Sequence, residues 1–122
     1  MIAFAYLAAI IHVAIFAMES ILWTKPKVNK LFRMSAADAQ VTKLLAFNQG
    51  FYNLFLAIGV FLGLHLRTGE MFYSGGTAIA IFALGSMAAA GAVLICSGKH
   101  MWRGALLQII PSVLGIIALA ST

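Results

Sequence analysis

The sequence has 122 residues, of which 63% are hydrophobic and 9% are charged, and its mean hydropathy is +1.02. Soluble domains carry about 25% charged residues, so this composition excludes a soluble globular protein and indicates one domain with several membrane spans. The net charge of +5 does not indicate a nucleic-acid-binding protein, because the basic residues cluster in short segments between apolar stretches, as membrane topology requires.

The first predicted membrane helix covers approximately residues 1–23. Its length suits a bilayer, whose hydrocarbon core takes about 20 helical residues. Two ionisable residues, His12 and Glu19, interrupt it, and Trp23 closes it at a position typical of the membrane–water interface. Because ionisable side chains are costly in hydrocarbon, His12 and Glu19 are the first candidates for a functional site.

A basic segment follows the first span. Its cations are Lys25, Lys27, Lys30 and Arg33, and it contains no acid. Ser35 is followed three residues later by Asp38, a spacing typical of a capped helix start. The second long helix is therefore predicted to begin near Ala36, outside the membrane.

The second span is predicted over residues 44–66 and carries several polar side chains. These are Asn48, Gln49, Tyr52 and Asn53. Asn48 and Tyr52 are one helical turn apart, as are Gln49 and Asn53, and Gly50 exposes the backbone between the two pairs. Further along, Gly59 and Gly63 form a GxxxG pair, which predicts close approach of another helix or of a second copy of the chain.

The last two spans are predicted over residues 77–97 and 105–120. The third span is rich in glycine and alanine, which predicts close packing by more than one neighbour. The fourth span contains Gln108 and Pro111, and the proline removes a helical hydrogen bond and so frees a carbonyl oxygen beside Gln108. This span is short for a bilayer, which favours a helix start nearer Lys99.

The charges between the spans predict the orientation of the bundle. The first connection carries four cations and the third carries Lys99 and Arg103, whereas the second has only Arg67, beside Glu70. Cytoplasmic loops carry the excess of lysine and arginine, so the first and third connections are predicted to be cytoplasmic and both termini external. The predicted fold is all-α, a polytopic membrane four-helix bundle.

The polar residues of three predicted spans fall at similar depths. Four of them lie four or five residues in from the same predicted membrane surface: Glu19, Asn48, Gln49 and Gln108. His12 is seven residues from Glu19, about 10 Å deeper. We therefore expect one polar layer, in which Glu19 accepts hydrogen bonds from amides of the second span and from the Tyr52 hydroxyl.

The polar run in the second span also carries a family resemblance. The run is Asn48-Gln49-Gly50-Phe51-Tyr52-Asn53-Leu54-Phe55-Leu56-Ala57, with His12, Glu19 and Trp23 before it and Gln108 and Pro111 after it. The chain resembles a bacterial family of small four-span integral membrane proteins of unknown function. The resemblance implies four membrane helices in a bacterial inner membrane and a family signature made of this polar set. It implies no activity.

Three functions are compatible with these residues. The first is an intramembrane pocket near the cytoplasmic leaflet, which binds a lipophilic small molecule and in one version transforms it. Glu19 and His12 are then the candidate catalytic acid and base, and the candidate ligand-binding residues are Trp23, Asn48, Gln49, Tyr52, Asn53 and Gln108. The second is an oligomeric transporter or channel that uses Glu19 and His12. The third is a structural or partner-binding protein, in which the polar residues only join helices.

No cofactor or metal ion is predicted. His12 and Glu19 supply two metal ligands at most, and no second histidine lies near the membrane midplane to hold a haem. The single cysteine, Cys96, excludes an intrachain disulfide. The expected partners are the lipid bilayer, a lipophilic small molecule and other copies of the chain, and no nucleic acid is expected.

Overall fold

The computed structural model of the protein describes residues 1–122 and contains helices and the turns that join them. Five α-helices follow one another: α1 (Ala3–Phe16), α2 (Pro26–Leu31), α3 (Ala36–Leu66), α4 (Tyr73–Ser97) and α5 (Trp102–Ala120). A π-helical turn (Ala17–Ile21) extends α1, and short 3-10 turns (Glu70–Phe72 and Lys99–Met101) precede α4 and α5. Four segments are long and apolar enough to cross a membrane: Ala3–Ile21, Ala36–Leu66, Glu70–Ser97 and Lys99–Ala120. The predicted all-α four-helix bundle is confirmed.

The four long helices form a square in which each helix packs against two neighbours. α1 packs against α3 and α5, and α4 packs against the same two helices from the opposite corner. Both chain termini and the connection over residues 67–72 lie at one end of the bundle, here called the terminal end. The connections over residues 22–35 and 98–101 lie at the other, here called the loop end.

The start of α3 is fixed at the loop end by a cap and by an aromatic contact. Ser35 Oγ accepts a hydrogen bond from the Asp38 N–H at 3.0 Å, the capping contact that the sequence predicts. Trp23 Nε1 donates to Thr42 Oγ1 at 3.1 Å, and the Trp23 ring packs against Phe32. Trp23 therefore ties the first connection to α3.

The buried apolar core lies mostly in the terminal half and is built largely of alanine. Its members are Ala5, Ala8, Ala9, Ala57, Val60, Leu64, Ala80, Ala83, Leu84, Met87 and Leu119. Helices approach closely through this core, because Gly63 lies against the backbone of Gly76 and Ala80, and Gly115 lies against Ala5. The GxxxG face of α3 is thus covered by α4 of the same chain.

Arg67 organises the terminal end. Its guanidinium donates hydrogen bonds to Thr77 Oγ1 at 3.1 Å, to the Tyr73 hydroxyl at 2.6 Å and to Thr122 Oγ1 at 2.7 Å. It also stacks over the Tyr73 ring, 4.7 Å from the ring centroid, and is only 9% exposed. Glu70 is exposed and does not pair with it. The charge of Arg67 is therefore satisfied by hydroxyl groups and an aromatic ring.

Candidate functional site

Glu19 lies in the π-helical turn that ends the first span. The Leu22 N–H donates to the Ala17 carbonyl oxygen at 2.9 Å, five residues back instead of the usual four. This wider turn lets two consecutive side chains, those of Glu19 and Ser20, hydrogen-bond to α3. Single π-helical turns are rare and occur often at functional sites. Sequence periodicity gives no signal for this turn.

Asn53 is the hydrogen-bond partner of Glu19. Its amide Nδ2 donates to Glu19 Oε1 at 2.6 Å and also contacts the Gln49 carbonyl oxygen at 3.2 Å. Asn53 is 7% exposed, whereas Glu19 is partly exposed. Glu19 Oε2 accepts no hydrogen bond from the protein and is not buried. The carboxyl group therefore has one oxygen held in place and one available.

Helices α1 and α3 cross closely beside the Glu19–Asn53 pair, and this close approach brings the two side chains together. Ser20 Oγ donates to the Phe47 carbonyl oxygen at 2.8 Å. A Cβ atom at Gly50 would overlap Ser20 Oγ and lie 3.0 Å from the Ser20 backbone nitrogen, so only glycine fits there without movement of α1. Next to this crossing, Phe16 and Phe51 pack edge to face. Ser20 is absent from the sequence-based site, because a serine near the end of a span is not distinctive.

His12 lies deeper in the bundle and is fully buried, at 0% exposure. Its Nδ1 is 2.9 Å from the Ala8 carbonyl oxygen. Because a carbonyl can only accept, Nδ1 carries a proton, and in the neutral imidazole Nε2 is then an acceptor. The Gln108 side chain lies beside the ring but completes no hydrogen bond to Nε2. One turn further along α5, the buried hydroxyl of Ser112 also has no partner.

The structure divides the expected polar layer into two pairs. Glu19 meets Asn53 near the loop end, and His12 meets Gln108 further toward the middle of the bundle. The expectation that Gln108 lies level with Glu19 assumed a fourth span beginning at residue 105. The helix begins at Trp102, preceded by a 3-10 turn from Lys99, so Gln108 lies further from the loop end.

The remaining polar side chains of α3 face outward. Tyr52 is 62% exposed, and Asn48 and Gln49 are exposed as well. The expected hydrogen bond between the Tyr52 hydroxyl and Glu19 is absent from the structure, because the inward face of α3 at this level is formed by Gly50 and Asn53. Binding of a ligand by Asn48, Gln49 and Tyr52 stays a prediction.

These outward residues border an opening between α3 and α4. In the terminal half the two helices touch, and a Cβ at Gly59 would lie 3.3 Å from the Ala83 side chain. Seven residues toward the loop end, the same helix faces present Tyr52 on α3 and Ala90 on α4, and both residues are exposed. These faces are therefore packed together in the terminal half and exposed toward the loop end, from which we infer an opening between α3 and α4.

A separate apolar groove of about 480 Å³ lies between α1 and α5. Leu7 and Ile11 of α1 and Leu107 and Pro111 of α5 are among the residues that line it, and none of the predicted site residues does. No group of three or more histidine, cysteine, aspartate or glutamate side chains is placed to hold a metal ion. The chemistry that the site offers is hydrogen bonding by Asn53 and Gln108 and proton transfer by Glu19 and His12.

Comparison with known proteins gives a family without an assigned activity. A family model described as "Protein of unknown function (DUF1304)" matches residues 6–120. The match includes α1 from Tyr6 onward, the polar run of α3 and all of α4 and α5. No curated protein and no solved structure matches the chain.

Proposed function

We propose that this chain, which belongs to the DUF1304 family of proteins of unknown function, binds the polar head of a lipophilic small molecule at Glu19 and Asn53. Its four long apolar helices cross a membrane, which we take to be the bacterial inner membrane. The excess of lysine and arginine in the connections at the loop end supports a cytoplasmic position for that end and an external position for the terminal end. The site then lies near the cytoplasmic leaflet.

The observation that carries this proposal is the incomplete set of partners around Glu19. A carboxyl group within an apolar span costs several kcal/mol unless its oxygens are paired. Asn53 supplies one donor, at 2.6 Å, and Glu19 Oε2 has none from the protein. A site built only to join α1 and α3 would pair both oxygens. A donor group on a bound molecule completes the set.

The opening between α3 and α4 gives such a molecule a path from the bilayer. Its α3 side carries the amide of Gln49 and the hydroxyl of Tyr52, with Asn48 beside them, and these groups orient a polar head through hydrogen bonds. The α4 side presents Ala90, which leaves room for an apolar body. Because the path is lateral, the molecule reaches Glu19 without crossing the basic connections.

His12 and Gln108 form the deeper part of the proposed site. His12 Nε2 has no hydrogen-bond partner, and it lies about two helical turns, roughly 10 Å, from Glu19. In a proton-transfer reaction, Glu19 and His12 would be the acid and base, with Gln108 positioning the ligand. Binding needs only the Glu19–Asn53 pair.

Recovery of a bound molecule with the purified protein tests the proposal. Wild type, Glu19→Ala and Glu70→Ala are purified in parallel, and lipophilic molecules are extracted and identified by mass spectrometry. Glu70 is the matched control, because it is an exposed acid at the terminal end. We expect a molecule that is retained by wild type and by the Glu70 variant and lost from a folded Glu19 variant.

The alternatives predict other outcomes of the same experiment. If Glu19→Ala lowers thermal stability but keeps the bound molecule, the polar residues serve only to join helices and the proposal fails. The alternative of an oligomeric transporter or channel gains no support from the GxxxG pair, because Gly59 and Gly63 face α4 within the chain. It predicts a pH-dependent flux in proteoliposomes that Glu19→Gln abolishes.

A further inference from the structure

Resting on the function proposed above, we propose that the head group bound at Glu19 is a cation. The ligand class is then the amphiphilic amines and quaternary cations, molecules with one positive charge on an apolar body. The inference concerns the sign of the ligand's charge, in addition to the ligand's capacity to donate hydrogen bonds.

The first observation is that Glu19 has no positive partner within the protein. Its hydrogen-bond partner is the neutral amide of Asn53, and no charged group of the chain acts on it. Lys43 lies about two turns into α3 and Arg103 in the first turn of α5, and the other lysines and arginines lie in the connections. The other two acids of the chain, Asp38 and Glu70, lie in the first turns of the second and third apolar segments. The site therefore carries negative charge or none.

The second step is the energetic consequence for a ligand. An ionised carboxylate in hydrocarbon is stable only when a cation pairs with it. A ligand cation supplies that partner, and the attraction is strong because little water screens it. An anionic head would meet a like charge and lose its own hydration. The site therefore selects ligands by the sign of their charge.

The third observation is the free oxygen of Glu19 together with the exposed aromatic ring of Tyr52. Asn53 holds Oε1, which leaves Oε2 free and not buried. The Tyr52 ring is 62% exposed at the opening between α3 and α4. An aromatic face attracts a cation by roughly 0.5–2 kcal/mol, and a lateral path avoids repulsion by the lysines of the loop end. All three features favour a positive head.

Two ions of nearly equal size and opposite charge, tetraphenylphosphonium and tetraphenylborate, test the inference. Binding of each ion to the purified chain in dodecyl maltoside micelles is measured by equilibrium dialysis. We expect saturable binding of tetraphenylphosphonium to wild type, at least tenfold weaker binding to Glu19→Gln, and no saturable binding of tetraphenylborate. Glu19→Asp, which keeps the charge, should retain part of the affinity, and Glu70→Gln should bind as wild type does.

The outcomes separate this inference from the function on which it rests. Equal affinity of wild type and Glu19→Gln for tetraphenylphosphonium overturns the cation assignment, as does equal binding of both ions. If neither ion binds but a co-purified molecule is still lost in Glu19→Ala, the head group identified in that molecule decides: a neutral or anionic head overturns the charge assignment alone, and an amine supports it. If neither ion binds and no molecule depends on Glu19, both proposals fail.

Discussion

The two halves of the bundle hold their polar side chains in opposite ways. In the terminal half, Arg67 donates three hydrogen bonds to hydroxyl groups and stacks on Tyr73. In the loop half, Glu19 has one amide partner, and near the middle of the bundle His12 Nε2 and the Ser112 hydroxyl have none. The cost of placing polar groups among apolar helices is thus met inside the protein at one end and left incomplete at the other. Complete pairing stabilises a fold, whereas incomplete pairing leaves capacity for a ligand.

The helices also pack more closely in the terminal half than in the loop half. Gly63 lies against the backbone of α4 in the terminal half, and Gly115 lies against Ala5 of α1. Toward the loop end, α3 and α4 expose Tyr52 and Ala90. The closely packed half therefore holds four helices in a fixed arrangement, and the more open half displays the site. Substitutions in the terminal half should act on stability, and substitutions in the loop half should act on binding.

The largest effect on stability should come from Gly63→Leu. A Cβ atom there would lie 2.6 Å from the Ala80 nitrogen and the Gly76 carbonyl oxygen, and backbone atoms cannot yield without a shift of a whole helix. We expect a loss of about 3 kcal/mol in the free energy of unfolding, the upper end of overpacking costs. Titration with sodium dodecyl sulfate in mixed micelles measures it.

Gly85→Leu is the matched control for this substitution. Gly85 lies within α4, and a Cβ atom there meets nothing within 4 Å. The side chain would extend toward lipid, so we expect little change or a small gain in stability. If both glycine variants unfold at the same detergent fraction, close approach of α3 and α4 does not stabilise the terminal half, and the comparison between the halves breaks down.

A smaller loss should follow from Arg67→Lys. Lysine keeps the positive charge but cannot present the planar guanidinium fork to Thr77, Tyr73 and Thr122 together. We expect a loss of about 1.5 kcal/mol, the lower end of the range for hydrogen bonds to charged groups, with ligand retention unchanged. Arg103→Lys, at an exposed arginine, is the control. Loss of the ligand in Arg67→Lys would show that the halves are coupled.

Local features of the chain were predictable from its sequence. The four apolar segments, the cap at Ser35 and the presence of an amide partner for Glu19 follow from composition, spacing and the cost of polar groups in hydrocarbon. Each depends on a single helix or on one strong physical constraint. The GxxxG pair also predicted a close helix contact, and the structure identifies α4 as the helix that makes it.

Features that depend on the packing of one helix against another could not be predicted from the sequence. The bond from Arg67 to Thr122 joins residues 55 positions apart. The π-helical turn at Glu19 accompanies the contact of Ser20 with the Phe47 carbonyl, which is a property of the α1–α3 crossing. The outward direction of Tyr52 depends on the rotation of α3 within the bundle, and polar residues on several faces of this helix left that rotation undetermined.

The smallest change in stability should come from substitution of two asparagines on α3, Asn53 and Asn48. These two variants also test the difference between the halves most sharply. Asn53→Leu removes the donor to Glu19, whereas Asn48→Leu removes an exposed amide that has no partner in the protein. Hydrogen bonds between membrane helices contribute about 0.6 kcal/mol on average, so Asn53→Leu should lower the free energy of unfolding by about that amount. Asn48→Leu should leave it unchanged.

Binding should fall far more in Asn53→Leu than in Asn48→Leu, because Asn53 holds Glu19 whereas Asn48 only borders the proposed path of the ligand. Without Asn53, Glu19 Oε1 loses its donor and the carboxyl group loses the contact that holds it in place. We therefore expect Asn53→Leu to reduce ligand retention at least tenfold in a protein that unfolds almost as wild type does. Retention at the wild-type level in Asn53→Leu would mean that the Glu19–Asn53 bond only joins α1 to α3. The loop half would then differ from the terminal half in packing alone, because its polar pair would be as purely structural as Arg67.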